Sequence, residues 1–516
     1  MFYIDYFTHE LLAKWDPNPF CRTKCGTENF IILFVPPLGG GMEIVMPILK
    51  IVQNGITKTV AFEGDKSLGE LLGLSDIHID KPCGGRGACK KCAVLVNGRE
   101  ELACQYVVSC DVEVVVPDNK DIISVTGADE SGKLTENLCI CLDIGTTTLA
   151  LALVSLDDKQ IIKTKTAPNP QREVGADVIS RIEYCTKNGA KYLQNMLLAK
   201  LSQMVENLLA EYKVNALEKM YVAGNTTMLH LFFGIDASSL GVSPYTPIFL
   251  EEKRVKGTEL GFENIGEVIS LPGISAFVGA DIVSGLGFVD IPQGNKYSLL
   301  IDLGTNAEIV LFSNDKYLCA TAAAGPCFEG ANISCGMSAS VGALSKYKAD
   351  GSYSVIGDAL LEGICATGLV DIIAELVKNG TVEESGYMDE DFVLSEKVKV
   401  TPCDIREFQL AKSAVMSAIE CLLGHGGVQF DDIEKMYVAG GFSAQLNVEN
   451  AAYLGLLPKE LICSFEPINN SSLLGAVKFA CEGNDLAEIA KKAEFIDLGA
   501  DNIFSELFFK NMAFEL

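Results

Sequence analysis

The heptapeptide EKMYVAG stands at 218–224 and again at 434–440. An exact recurrence of this kind marks an internal repeat, and a repeat sets the architecture of the chain. Each copy follows a long helical pattern. The first runs from Leu193 to Tyr212, with Leu197, Leu201, Val205 and Leu208 on one face. The second runs from Asp404 to Leu423 and opens with Thr401-Pro402-Cys403-Asp404, where Pro402 suits a first helical position. Further upstream, each copy has an apolar strand that ends in an acid–glycine–threonine turn: CLDIGTTT at 141–148 and LIDLGTNA at 300–307. Turn, strand hairpin, helix and VAG strand therefore occur twice in the same order. This predicts a duplicated α/β domain with a cleft between its halves, the first at 138–298 and the second at 299–516. The landmarks are more widely spaced in the second copy. The extra length falls mostly around 330–400, where an inserted subdomain is expected.

The chain upstream of the repeat reads differently. Residues 47–62 (PILKIVQNGITKTVAF) predict two short strands around an Asn54-Gly55 hairpin turn. A short helix at Ser67–Leu72 follows, then a cysteine-rich loop and strands at Ala93–Val96 and Val112–Val116. Residues 42–117 thus form a small β-rich module, 118–137 a polar linker, and 1–41 an extension of different character. The whole is a multidomain chain of α+β and α/β type.

Composition narrows the function. A formal net charge of −27 over 516 residues argues against nucleic-acid or anionic-membrane partners, which require basic surface. No apolar run reaches the roughly 18–20 residues of a membrane helix, and no secretory leader is evident, so a cytoplasmic location is expected. In that compartment the 18 cysteines read as thiols or metal ligands rather than disulfides, a number that also suits an anaerobic host.

Four of them carry chemistry. Cys83, Cys89, Cys92 and Cys104 fall in PCGGRGACKKCAVLVNGREELAC with spacing C-x5-C-x2-C-x11-C. Soft thiolates suit iron and its bridging sulfides, and Gly84, Gly85 and Gly87 free the loop to wrap a cluster. The same four thiolates would also suit structural zinc, but the glycine-rich loop on a β-rich module favours iron and sulfur.

Each DxGT turn places small residues and free N–H groups where phosphates can sit. That nominates Asp143, Gly145, Thr146 and Thr147 in the first half, and Asp302, Gly304, Thr305 and Asn306 in the second. The two aspartates are the candidate catalytic residues, placed to hold Mg²⁺ or to orient an attacking water. The second VAG continues as Gly440-Gly441-Phe442-Ser443, a bend against which adenosine can pack, and nominates Gly440, Gly441 and Ser443.

DIGTTT, DLGTN and VAGGFSAQLN resemble the two phosphate motifs and the adenosine motif of the superfamily that unites acetate and sugar kinases, heat-shock chaperone ATPases and actin. With PCGGRGACKKC upstream, residues 45–510 resemble the reductive activators of corrinoid proteins. The resemblance implies a β-grasp-like [2Fe–2S] ferredoxin module, with the four cysteines as ligands, followed by a duplicated RNase H-like (actin-like) ATPase domain that uses ATP with Mg²⁺. It implies an enzyme that passes an electron to the corrinoid protein of a methyltransferase system, returning Co(II) to Co(I). A low-potential electron donor would be a second partner, and a homodimer stays open. Two other readings accompany it: an ATP-dependent electron activator of another low-potential enzyme, and a small-molecule kinase with an accessory iron–sulfur domain.

Overall fold

The computed structural model describes residues 46–53, 56–75, 77, 79, 87, 92–117, 128–441, 443–483 and 485–514. The expected 1–41 extension, the Asn54-Gly55 turn, Cys83, Cys89 and Phe442 lie outside them.

Among the described residues the upstream unit holds a five-stranded sheet and one helix. β1 (Ile48–Gln53) and β2 (Ile56–Ala61) pair antiparallel, with Gln53 opposite Ile56 at the turn end. α1 (Leu68–Leu74) starts at Ser67, whose Oγ accepts from Glu70 N at 3.2 Å. β3 (Ala93–Val96), β4 (Arg99–Leu102) and β5 (Val112–Val115) complete the order β2-β1-β5-β3-β4. β5 alternates buried and exposed residues, the signature of a sheet with one covered face. Leu49, Ile51, Leu68, Leu71, Leu72, Val94 and Val114 form a core separate from the rest of the chain.

The repeat folds twice into the same five-stranded topology, with a sixth strand added at opposite edges of the two sheets. In the first half β6 (Leu138–Ile144), β7 (Thr148–Ser155) and β8 (Gln160–Pro168) form a meander, and β9 (Leu217–Gly224) adds parallel to β6. β10 (Lys253–Lys256) and β11 (Ile265–Ser270) extend the sheet to the order β8-β7-β6-β9-β11-β10. In the second half β12 (Tyr297–Leu303), β13 (Ala307–Phe312) and β14 (Tyr317–Ala322) meander, and β15 (Ile433–Ala439) adds parallel to β12. β16 (Phe465–Pro467) and β17 (Ala493–Phe495) close the order β16-β15-β12-β13-β14-β17. β6 and β12 are apolar almost throughout because helices cover both faces of their sheets.

The first long helix, α2 (Lys191–Tyr212), buries all four residues named on its apolar face. After it come α3 (Ala280–Phe288) and α4 (Ala366–Lys378). The second long helix, α5 (Pro402–Gly426), is longer than its apolar pattern. Pro402 takes the expected first helical position, Thr401 and Asp404 cap it reciprocally, and the helix runs on past Leu423 until Gly427 turns left-handed at φ +66°. Residues 128–137, expected as linker, lie along β8: Glu130 takes Lys163 Nζ at 2.6 Å and Thr164 N at 2.9 Å. Burial would raise the Glu130 carboxyl, but Lys163 and Thr164 outweigh it and hold it down at about 2.

Two helices lock the halves together. Ile282 and Leu286 of α3 pack on Leu300, Val310 and Phe312 of the second sheet. α6 (Ser471–Glu482), which follows β16, returns to the first half, where Leu473, Ala476 and Val477 join the core beneath β6 and β9. The two helices pass at backbone contact. A Cβ on Gly475 would lie 1.8 Å from Ser284 O, so only glycine fits there. Ser284 Oγ donates to Ser472 O at 2.7 Å across the same crossing.

Candidate functional site

The two DxGT turns face one another across the cleft between the halves. Each is a tight hairpin head: Gly145 N donates to Thr148 O at 3.0 Å, and Gly304 N to Asn306 O at 2.9 Å. A Cβ on Gly145 would meet Thr148 O at 2.5 Å, which fixes glycine in that turn. Glu329, on the Pro326–Glu329 turn after β14, joins the two heads. Its carboxylate accepts from Thr147 Oγ1 at 3.3 Å and from Thr305 Oγ1 at 2.9 Å.

Around this bridge the cleft gathers four more carboxylates. Asp143 ends β6 and accepts from Asn470 Nδ2 at 2.9 Å and Ser472 Oγ at 2.7 Å, both at the start of α6. Asp302 ends β12, with Glu308 directly opposite it on β13. Asp281 stands in the first turn of α3, where its Oδ1 accepts from Ile282 N at 2.9 Å. Among the described residues no Lys or Arg pairs with any of these four. Burial, followed by the field of Asp143 and Asp302, pushes Asp281 up to about 7. Burial, then Asp143, pushes Asp302 up to about 6. Burial raises Asp143 as well, against the two hydrogen bonds it accepts. Glu308 is raised well above the usual carboxylate range, by burial and then by Asp281 and Asp302. All four keep partial contact with solvent. Crowded carboxylates without a counter-cation are what a hard divalent ion with oxygen ligands requires, so the residues fit Mg²⁺.

Behind the first turn lies a polar scaffold. Asn169 Nδ2 donates to Gly145 O at 2.8 Å. The fully buried Arg181 donates to Thr146 O at 2.6 Å, Gly175 O at 3.0 Å and Gln171 Oε1 at 3.2 Å. Its acceptors are neutral. Burial, then Arg172, lowers it to about 9, against the pull of Asp177 and Glu329. Asn225 adds a bond from Nδ2 to Thr146 Oγ1 at 3.0 Å while its Oδ1 caps the helix Thr226–Phe232.

Gly440 turns sharply after β15, at φ +112°, and a Cβ there would meet Leu303 O at 2.7 Å. The Gly440-Gly441 bend therefore lies directly beside the second phosphate turn. Ser443 is buried and donates to Ile468 O at 2.9 Å, so its hydroxyl shapes the bend.

In the upstream unit, Cys92 and Cys104 flank the β3–β4 hairpin. Ala103 N donates to Cys92 O at 2.9 Å, which brings the two cysteines to adjacent positions. Cys92 is buried, and Gln105 Nε2 points at Cys104 Sγ from 3.7 Å. Gly87, at φ +75°, lies against the Gln105 side chain. A buried thiol, an N–H donor aimed at sulfur and a left-handed glycine fit an iron–sulfur cluster.

Sequence reasoning named Asp143, Asp302 and the phosphate threonines but missed Asp281 and Glu308. Each was visible as a lone acid in an apolar stretch, GADIVSGLGF and AEIVLF. The stretches 169–181 and 470–475 carry no motif in the sequence to which a role can be assigned. They back the first turn and hold Asp143, respectively.

Comparison with known proteins adds independent findings. Residues 138–293 match the family model described as "RACo middle region", and residues 296–516 match "C-terminal domain of RACo the ASKHA domain". The chain is 30% identical over 446 residues to a protein of Eubacterium limosum named corrinoid activation enzyme RamQ, covering 78% of this chain and 74% of that one. It is 26% identical over 421 residues to a Methanosarcina barkeri protein named [Co(II) methylated amine-specific corrinoid protein] reductase, covering 73% and 76%. Among solved structures, one titled reductive activator for corrinoid, iron–sulfur protein superposes with a TM-score of 0.67 at 27% identity, over 90% of this chain and 98% of that one. The duplicated domain is accordingly of the actin-like ATPase type, and the chain belongs to the family of reductive activators of corrinoid proteins.

Proposed function

We propose that this protein is an ATP-dependent reductive activator, which delivers one electron to a corrinoid protein and returns its cobalt from Co(II) to Co(I). The observation that carries the reading is the convergence of Asp143 and Asp302, one from each half, at two facing phosphate turns in a chain that also carries the four-cysteine module. Residues 42–117 are read as a β-grasp-like ferredoxin unit, 118–137 as the connection, and 138–516 as the ATPase with an insertion around 330–400. The location is read as cytoplasmic. Among the described residues no helix is long and apolar enough to cross a membrane.

Cys83, Cys89, Cys92 and Cys104 would hold a [2Fe–2S] cluster, which when bound supplies single electrons from a low-potential donor. Asp143 and Asp302 would hold Mg²⁺, whose charge neutralises the triphosphate. The turn N–H groups and the hydroxyls of Thr146, Thr147 and Thr305 receive phosphate oxygens, and Gly440-Gly441 receives the adenosine. Asp281, pushed up to about 7, is suited to take a proton from an attacking water near neutral pH. ATP contacts in both halves favour closure of the cleft.

Energy explains why one chain needs both parts. For a one-electron step each 59 mV uphill costs about 1.4 kcal/mol, so a gap of a few hundred millivolts costs roughly 5–10 kcal/mol. ATP offsets this by favouring the complex in which cobalt accepts the electron. The test is to reduce the purified protein, add Mg-ATP and a Co(II) corrinoid protein, and follow the Co(I) absorption. Co(I) should form only with ATP present. Failure to form Co(I), with ATP consumption indifferent to the corrinoid protein, would refute the reading.

A further inference from the structure

Glu329 accepts hydrogen bonds from Thr147 of the first half and Thr305 of the second. Under the ATP-site reading, on which this inference rests, the same two hydroxyls serve phosphate oxygens. Carboxylate and phosphate are both anionic acceptors, so they compete for the two donors and repel each other at that range. Glu329 lies beside the second phosphate turn itself: a Cβ on Gly304 would stand in ordinary contact, 3.8 Å from Glu329 Oε1. We propose that Glu329 is a nucleotide-displaced latch, holding both phosphate turns in the empty protein and expelled when the ATP triphosphate takes over Thr147 and Thr305. The buried Arg181, whose hydrogen-bond acceptors are all neutral, sits behind the first turn and attracts either anion.

The turn that carries Glu329 is coupled to more distant structure. Gly330 ends it at φ +76°, and a Cβ on Gly330 would strike Met337 O at 2.4 Å. Met337 N in turn donates to Ile364 O at 3.0 Å, and Gly336 forms a bridge to the same Ile364. Movement of this turn when Glu329 is displaced would be carried through these contacts to the 336–337 segment and the strand Gly363–Ile364 just ahead of α4. The latch thus reports nucleotide occupancy to the segment around 330–400.

The test compares Glu329→Gln and Glu329→Ala with wild type in the full chain, titrating a non-hydrolysable ATP analogue with Mg²⁺ by calorimetry. Removing the competing charge should tighten binding about tenfold in both variants, as expected when two charge-assisted bonds no longer have to be broken. Unchanged or weaker binding in either variant overturns the latch. Amide exchange on wild type gives a second measurement that needs no variant. Saturating nucleotide should slow exchange at 145–148 and 304–306 but speed it at 326–331; slowing at all three overturns the latch. A wild-type protein that binds no nucleotide refutes the ATP-site reading and the latch with it. Binding to wild type with unresponsive variants refutes the latch alone.

Discussion

Asp281→Asn isolates the electrostatic cost of the empty cleft. An acid whose folded-state pKa lies above its unfolded value loses stability as pH rises. The unfolded chain releases the proton near 3.8, while the folded chain holds it until about 7. The native state is therefore penalised progressively between those values and by a constant amount above them. At about 1.4 kcal/mol per pKa unit, the full rise corresponds to roughly 4 kcal/mol. Asp281 keeps partial contact with solvent, and screening there reduces the gain expected from Asn to about 1–2 kcal/mol. The carbonyl of Asn preserves the bond accepted from Ile282 N, so little else changes. The assay is urea unfolding of the nucleotide-free, Mg²⁺-free protein, with variant and wild type compared from about pH 5.5 to 8. Roughly half of the variant's advantage should be present at the acid end, and it should level off by about pH 8. The same variant should bind Mg-ATP yet lose most of its turnover. A stability difference that is flat across this range, or a destabilised variant, refutes the claim that Asp281 is held among uncompensated carboxylates.

Arg181→Lys loses the fork that reaches Thr146 O, Gly175 O and Gln171 Oε1 together, so nucleotide affinity should fall about tenfold while Gln171 and the core keep the fold; titration with Mg-ATP and a thermal melt check both parts. Gly475→Ala places a methyl into Ser284 O and should cost roughly 2–3 kcal/mol, read as a lowered melting temperature of the ATPase unit with the upstream unit unaffected. Cys92→Ser should abolish the visible absorbance of the reconstituted cluster and electron delivery but leave nucleotide binding intact; joint loss would show that the two units do not fold separately.

The sequence was legible where local chemistry and periodicity coincide. The two EKMYVAG strands, the two DxGT heads and the α2 face could be placed because turn glycines and apolar spacing are properties of contiguous residues. The start of α5 could be placed because Pro402 after Thr401 is a local signal, whereas its end ran on past Leu423 to Gly426, where no apolar residue continues the face. Asp281 and Glu308 escaped for a different reason. Neither carries a local motif, and each becomes part of the site only when β12, β13 and α3 are assembled around Asp143. In the sequence Arg181 is one of several polar residues near a helix start, open equally to a site role and to an exposed position. Only its complete burial against the carbonyl of Thr146 separates the two explanations.

The crossing of α3 and α6 has a consequence for how the chain matures as it is synthesised. The upstream unit closes its own core, from Leu49 to Val116, as soon as β5 has emerged. The first half of the ATPase is different, because Leu473, Ala476 and Val477 belong to its core. Part of one face of its sheet therefore waits for α6 while the whole second half is translated. A ribosome paused before Asn470 would display a finished cysteine module followed by a long apolar surface on β6 and β9. That intermediate is the natural client for a chaperone, and α6 is the segment whose arrival ends the need for one.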